Sequence, residues 1–128
     1  MTPLTSILVV DDSPADQLLA ELAIQGYNPA TRILRAADGQ EALDCLVGGG
    51  EEPDLILLDI NMPRMDGHAF LQAYCAEGAG RPIVVMLTTS DQETDRRRAT
   101  AFDCVIDYLV KPLEAATLER LEARLKTL

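Results

Sequence analysis

Four short apolar runs in this chain end on side chains that could together manage a phosphoryl group. Asp11 and Asp12 follow Ser6-Ile7-Leu8-Val9-Val10, and Asp59 closes Leu55-Ile56-Leu57-Leu58. Thr88 follows Ile83-Val84-Val85-Met86-Leu87, and Lys111 follows Val105-Ile106-Asp107-Tyr108-Leu109-Val110. Three carboxylates brought within a few ångströms repel one another, so without a counterion at least one should show a raised pKa. A hard divalent cation relieves that repulsion, and Mg²⁺ suits a site that offers few carboxylates plus waters. With the ion held by Asp12 and Asp59, Asp59 lies in line to attack phosphorus as a carboxylate nucleophile. The metal, Lys111 and the Thr88 hydroxyl would then stabilise charge on the equatorial oxygens. An aspartyl phosphate is chemically labile and suits a transient signal.

These groups meet only if the runs lie side by side and point the same way. Ser13-Pro14 offers an N-cap and a first-turn proline, and Ala15, Leu18, Leu19, Leu22 and Ala23 then recur at helical spacing up to Gly26. Residues 31–36 read as a second, shorter strand. Asp38-Gly39 turns the chain into a helix with Ala42, Leu43, Leu46 and Val47, and Gly48-Gly49-Gly50-Glu51-Glu52-Pro53 breaks it. After the third strand comes a turn at Met62-Pro63; Asp66-Gly67 then opens a helix with Phe70, Leu71, Tyr74 and Cys75 inward, ended by Gly78-Ala79-Gly80-Arg81-Pro82. A charged helix over about 91–102 has little apolar content, so it should pack loosely and be among the more mobile elements. The last helix shows Leu118, Leu121, Leu125 and Leu128 at three- and four-residue steps. Five strand–helix units in alternation predict an α/β fold: a doubly wound, five-stranded parallel sheet with helices on both faces. Ligands bind outside the carboxyl ends of such strands, where Asp11, Asp12, Asp59, Thr88 and Lys111 fall.

Composition narrows the partners. At 128 residues the chain is expected to be a single domain with a real core and no output domain attached. The formal charge of −10 argues against general binding to nucleic acid or an anionic membrane, while allowing a basic partner or a cation. Arg96-Arg97-Arg98 reads as a solvated helix face. Without a signal-peptide pattern or a run of about eighteen apolar residues, the expectation is a soluble, cytoplasmic protein. Cys45, Cys75 and Cys104 are read as buried thiols rather than a metal or redox site. His68 is read as a surface residue, and Met62, Met65 and Met86 as loop or core residues.

Over its whole length the chain resembles the receiver domains of two-component response regulators, which have a flavodoxin-like (βα)5 fold. The matching residues are Val9-Val10-Asp11-Asp12-Ser13, Asp59-Ile60-Asn61-Met62-Pro63 with Asp66-Gly67, Thr88, and Lys111-Pro112. The resemblance implies that Asp59 accepts phosphate from the phosphohistidine of a sensor histidine kinase or phosphotransfer protein. It implies Asp12, Asp59 and the Asn61 carbonyl as Mg²⁺ ligands, with Asp11 acting mainly through water. It further implies that Thr88 and Lys111 contact the phosphoryl group, that the Lys111-Pro112 bond is cis, and that Thr88 and Tyr108 form the switch. Such a switch is a population shift between two arrangements of the loop after Thr88, the fourth helix and Tyr108. Two residues depart from the pattern: Thr89 stands where receivers usually carry alanine or glycine, and Leu113 where they carry phenylalanine. Asp12-Ser13-Pro14-Ala15-Asp16 and Leu87-Thr88-Thr89-Ser90 look like the stand-alone receivers that partner bacterial phytochrome kinases. That closer likeness favours a homodimer through the fourth helix, fifth strand and fifth helix.

Two other functions compete. Phosphatases of the haloacid dehalogenase type also use an aspartate nucleophile and Mg²⁺, but place a second aspartate two residues on as general acid–base. Asn61 occupies that position here and cannot transfer the proton. A receiver fold used only as a phosphorylation-independent binding or dimerisation module would not need the full set of acids. The expected role is thus a phosphoacceptor, and no enzyme beyond its own phosphorylation and dephosphorylation.

Overall fold

Five strands form one parallel sheet in the order β2-β1-β3-β4-β5. The computed structural model describes residues 4–47, 52–62, 64–76 and 83–125. In chain order the elements are β1 (Ser6–Val10), α1 (Pro14–Tyr27), β2 (Arg32–Ala36), α2 (Gly39–Val47), β3 (Leu55–Leu58) and α3 (Gly67–Ala76). They continue with β4 (Ile83–Thr88), α4 (Glu93–Thr100), β5 (Val105–Val110) and α5 (Ala115–Leu125). The expected breaks at Gly48-Gly49-Gly50-Glu51 and at 77–82, together with Pro63 and Leu128, lie outside the described residues.

Alternation along the central strands explains why helices cover both faces. Leu8, Val10, Ile56, Leu58, Val84 and Met86 pack with Ala42 of α2, Phe70, Leu71 and Tyr74 of α3, and Ala99 of α4. The intervening Ile7, Val9, Leu55, Leu57, Val85 and Leu87 pack with Ala20 and Ile24 of α1 and with Leu118 and Leu121 of α5. A strand buried on both faces reads as a continuous apolar run, as β1 and β3 do. β2, at the sheet edge, keeps a half-exposed pattern. As its composition predicts, α4 buries only Ala99. Among the described residues no helix is long and apolar enough to cross a membrane.

The periodic leucines of α1 are not its inner face. Leu18, Leu19 and Leu22 are each more than half exposed, whereas Ala20, Glu21 and Ile24 are buried. Both sets fit a 3.6-residue period, so spacing does not choose between them. Packing does: Ala20 lets the helix approach the sheet, and buried Glu21 is met by Arg35 of β2 at 2.6 Å from Nη2 to Oε1.

The cysteines differ from expectation too. Cys75 of α3 and Cys104, just before β5, form a disulfide with Cα atoms 6.3 Å apart, and Cys45 is free and exposed. A separation of 29 residues conceals that the end of α3 lies beside the entry to β5.

Candidate functional site

Backbone hydrogen bonds set the acids and the lysine on one rim. The register pairs Val10 with Leu58 and Leu58 with Met86, so the residues that follow β1 and β3 stand beside the last residues of β4. Asp59 N–H donates to Val10 O at 3.0 Å, and Lys111 N–H to Thr88 O at 2.8 Å. The Gln17 side chain ties two strand ends from α1, donating to Asp11 O and to Ala36 O at 2.9 Å each.

The side chains converge as the spacing predicts. Asp11, Asp12 and Asp59 each offer a carboxylate oxygen within 4.8 Å of the others, with Asp11 and Asp59 buried and Asp12 exposed. Lys111 Nζ lies 2.5 Å from Asp11 Oδ2, 2.8 Å from Asp16 Oδ2 and 3.3 Å from Asp59 Oδ2. Burial raises the Asp11 carboxyl above its ordinary value, against the Lys111 hydrogen bond and the Ser13 N–H that pull it down; Asp59 adds a smaller rise. The raised acid was expected, but desolvation rather than like charge is its chief cause. Burial also works against the Lys111 ammonium, yet its bonds to Asp11 and Asp16 hold its pKa well above the ordinary value. Three hard oxygen donors with room for waters on the Asp12 side are the chemistry Mg²⁺ takes, so the residues fit the ion. Thr88 is fully buried at the end of β4, its Oγ1 accepting from Ser90 N–H at 3.3 Å. Asn61 is exposed in the segment after β3, and the Lys111-Pro112 bond is cis.

Tyr108 is buried against the β4–α4 loop. Its hydroxyl donates to Ser90 O at 2.9 Å, and the Arg96 guanidinium lies over its ring at 4.7 Å. Ser90 Oγ in turn donates to Asp95 Oδ2 at 2.6 Å. His68 is not a surface residue: α4 covers the first turn of α3, leaving it 5% exposed with Nε2 3.5 Å from Asp95 Oδ1. Thr89 is exposed and Leu113 is buried.

The loop that carries Asp59 is clamped from α2, which the sequence reading missed. Asp38 caps α2, accepting from Glu41 N–H at 2.9 Å, and its carboxylate also takes Arg64 Nε at 2.7 Å. Arg64 itself sits at φ 60°, in the left-handed region. Arg64 first and the Glu41 N–H second hold the Asp38 carboxyl below its ordinary value. A depressed folded pKa contributes stability above the unfolded value, and that contribution is lost as pH falls through the folded one. Asp38→Ala is therefore expected to cost about 1 kcal/mol near pH 7, with the gap to wild type shrinking below about pH 4. Urea melts of both proteins across that range check it.

A parallel 2-1-3-4-5 sheet with clustered acids, a buried threonine and a lysine at its carboxyl rim defines the receiver class. Residues 7–123 match the family model of the response regulator receiver domain, and the chain belongs to that family. A probable methanogenesis regulatory protein, FilR2 of Methanothrix harundinacea, is 38% identical over 125 residues, covering 94% of this chain and 80% of that protein. The chain spans about half the length of other curated relatives it matches. Among solved structures, a two-component response regulator from Cytophaga hutchinsonii superposes with a TM-score of 0.88 at 26% identity, covering 99% of this chain and all of that one. The phosphorylated cyanobacterial phytochrome response regulator RcpA gives 0.77 at 28% identity, covering 96% and 91%. The family function is phosphoacceptance in two-component signalling, which implies exchange with a histidine kinase or phosphotransfer protein. Receiver domains are phosphoacceptors rather than enzymes in the usual sense, and they typically bind Mg²⁺ at an acidic pocket such as this cluster.

Proposed function

We propose that Asp59 is the phosphoacceptor, with Asp11, Asp12, Asp59 and the Asn61 carbonyl holding Mg²⁺. The observation that carries this is the meeting of Asp59 with Lys111 at 3.3 Å inside the three-acid cluster. Asp59 is buried, so its carboxylate is poorly hydrated and close to a fixed cation, as a nucleophile for an anionic donor requires. Mg²⁺, when bound, supplies charge neutralisation at the phosphoryl oxygens. Lys111 and the Thr88 hydroxyl contact the phosphoryl group, and loss of that group by hydrolysis at the same site resets the domain.

Tyr108 and Thr88 would carry the change outward. The Tyr108 hydroxyl holds the Ser90 carbonyl, two residues beyond Thr88. A threonine drawn toward the phosphoryl group pulls on the same loop, and α4, which buries only Ala99, is the element that follows. The face formed by α4, β5 and α5 is the output surface and the expected homodimer contact, and the domain acts in the cytoplasm. The likeness to RcpA supports a phytochrome-type sensor kinase as the donor. Exposed Leu18 lies beside Asp11 and Asp12 and exposed Leu19 beside Lys111, and apolar side chains there suit the helix that presents the phosphohistidine.

Acetyl phosphate with Mg²⁺ tests the reading. The expected result is one phosphoryl adduct by mass, on the peptide containing Asp59 and absent when Mg²⁺ is chelated. No adduct, or one on another peptide, overturns it.

A further inference from the structure

Lys111 is held by one more carboxylate than the proposed chemistry uses. An ammonium has three N–H bonds to donate, and Asp11, Asp16 and Asp59 take all three. Asp16 is not among the acids whose oxygens converge as a cation site. It stands in the first turn of α1, where its N–H donates to Ser13 Oγ at 3.2 Å, so its backbone is fixed by the helix cap. Its carboxylate lines a small cavity with Lys111 and Pro112 and is one-third exposed, whereas that of Asp11 is almost wholly buried.

That difference decides which bond yields. Because Asp59 carries the incoming phosphoryl group, Lys111 stays beside it and meets a phosphoryl oxygen by releasing Asp11 or Asp16. Asp11, once abandoned, would be left buried and uncompensated, which is costly, while Asp16 takes up water in exchange. We propose that Asp16 is a positioning residue that restrains Lys111 in the resting protein and thereby slows phosphoryl transfer to Asp59. This rests on Asp59 being the acceptor. In the transfer, an Asp59 carboxylate oxygen bonds to phosphorus as the donor's P–O bond breaks and acetate leaves; Asp16 gives up only a hydrogen bond.

The test compares wild type with Asp16→Ala and Asp16→Glu, using acetyl phosphate and saturating Mg²⁺. A partly exposed ion pair is worth a few-fold at most, so Asp16→Ala is expected to raise the rate of adduct formation about three-fold. Asp16→Glu, which keeps the carboxylate in reach, should return to the wild-type rate. The gain should vanish on a Lys111→Met background, because Asp16 acts through that lysine. Calorimetric Mg²⁺ affinity should fall by less than about three-fold, as the loss of an outlying charge requires. An unchanged or slower rate for Asp16→Ala overturns the proposal. So does a gain that persists without Lys111, or a ten-fold loss of Mg²⁺ affinity, which would make Asp16 a metal ligand. Failure of wild type itself to form the adduct overturns this and the acceptor assignment together, whereas normal wild-type transfer with an indifferent Asp16→Ala overturns this alone.

Discussion

Asp59→Asn will take up no phosphoryl group and will bind Mg²⁺ about ten-fold more weakly, whereas Lys111→Met will be phosphorylated at least about 100-fold more slowly yet bind Mg²⁺ more tightly. Both variants remove a charge from one cluster, and the sign of the charge separates them. Asp59→Asn deletes the proposed nucleophile and one of three carboxylates, and ten-fold corresponds to about 1.4 kcal/mol. Lys111→Met deletes the cation that sits 2.5 Å from Asp11 and 3.3 Å from Asp59. Without it the two buried acids keep, among the described residues, only backbone N–H bonds from Ser13 and Ile60, so a divalent ion becomes their main compensation. The metal-free variant should lose about 3 kcal/mol, the usual result of leaving a buried charge unpaired. Millimolar Mg²⁺ should restore much of that by mass action. Thermal melts with and without Mg²⁺, calorimetric titration and adduct mass together check the pair. Weaker Mg²⁺ binding by Lys111→Met would show that the lysine does not compete with the ion.

The sheet and its rim were legible because parallel strands leave a strong mark. Leu55-Ile56-Leu57-Leu58 is apolar at every position because helices cover both faces, and a charged residue straight after such a run can only stand at the rim. Lys111 and Asp59, 52 residues apart, meet for that reason alone. What escaped was what depends on how separate elements dock against one another. Leu18, Leu19 and Leu22 have the right period, but the contact with the sheet is made by Ala20 and Ile24, and the small Ala20 carries little signal in a hydrophobicity pattern. His68 is buried because α4 crosses the first turn of α3, and the disulfide joins cysteines that only the docking of α3 beside β5 brings together. The Asp38–Arg64 clamp depends on a left-handed backbone at Arg64, which residue type does not announce. The Asp16 contact with Lys111 was hidden in the same way, since a first-turn aspartate is ordinarily explained by the helix dipole.

Gly67→Ala will damage the site more than a methyl at Gly26 or Gly39, although Gly67 bears no chemistry. A Cβ at this position would lie 2.3 Å from Asp59 O and 2.9 Å from Ile60 Cα. Both obstacles are backbone, so neither can rotate aside. The contact is close because Gly67 N–H donates to Ile60 O at 2.8 Å, which lays the start of α3 directly on the segment that leaves β3. Asp59 is held from the other side as well, through its N–H to Val10 O. The methyl must therefore push Asp59 out of register with Lys111 or push α3 off the sheet. Overpacking of this kind costs about 2 kcal/mol, seen as a fall of roughly 6 °C in the melting midpoint. Displacing Asp59, the proposed acceptor, should cost about ten-fold or more in phosphorylation rate. Gly26→Ala provides the contrast, because its Cβ would meet Ala115 Cβ at an ordinary 3.7 Å. With helical backbone and only an ordinary contact, that change should stabilise by roughly 0.5 kcal/mol through helix propensity and leave phosphorylation untouched. Equal melting shifts for the two alanines would mean that the approach of α3 to Asp59 is not what positions the acceptor.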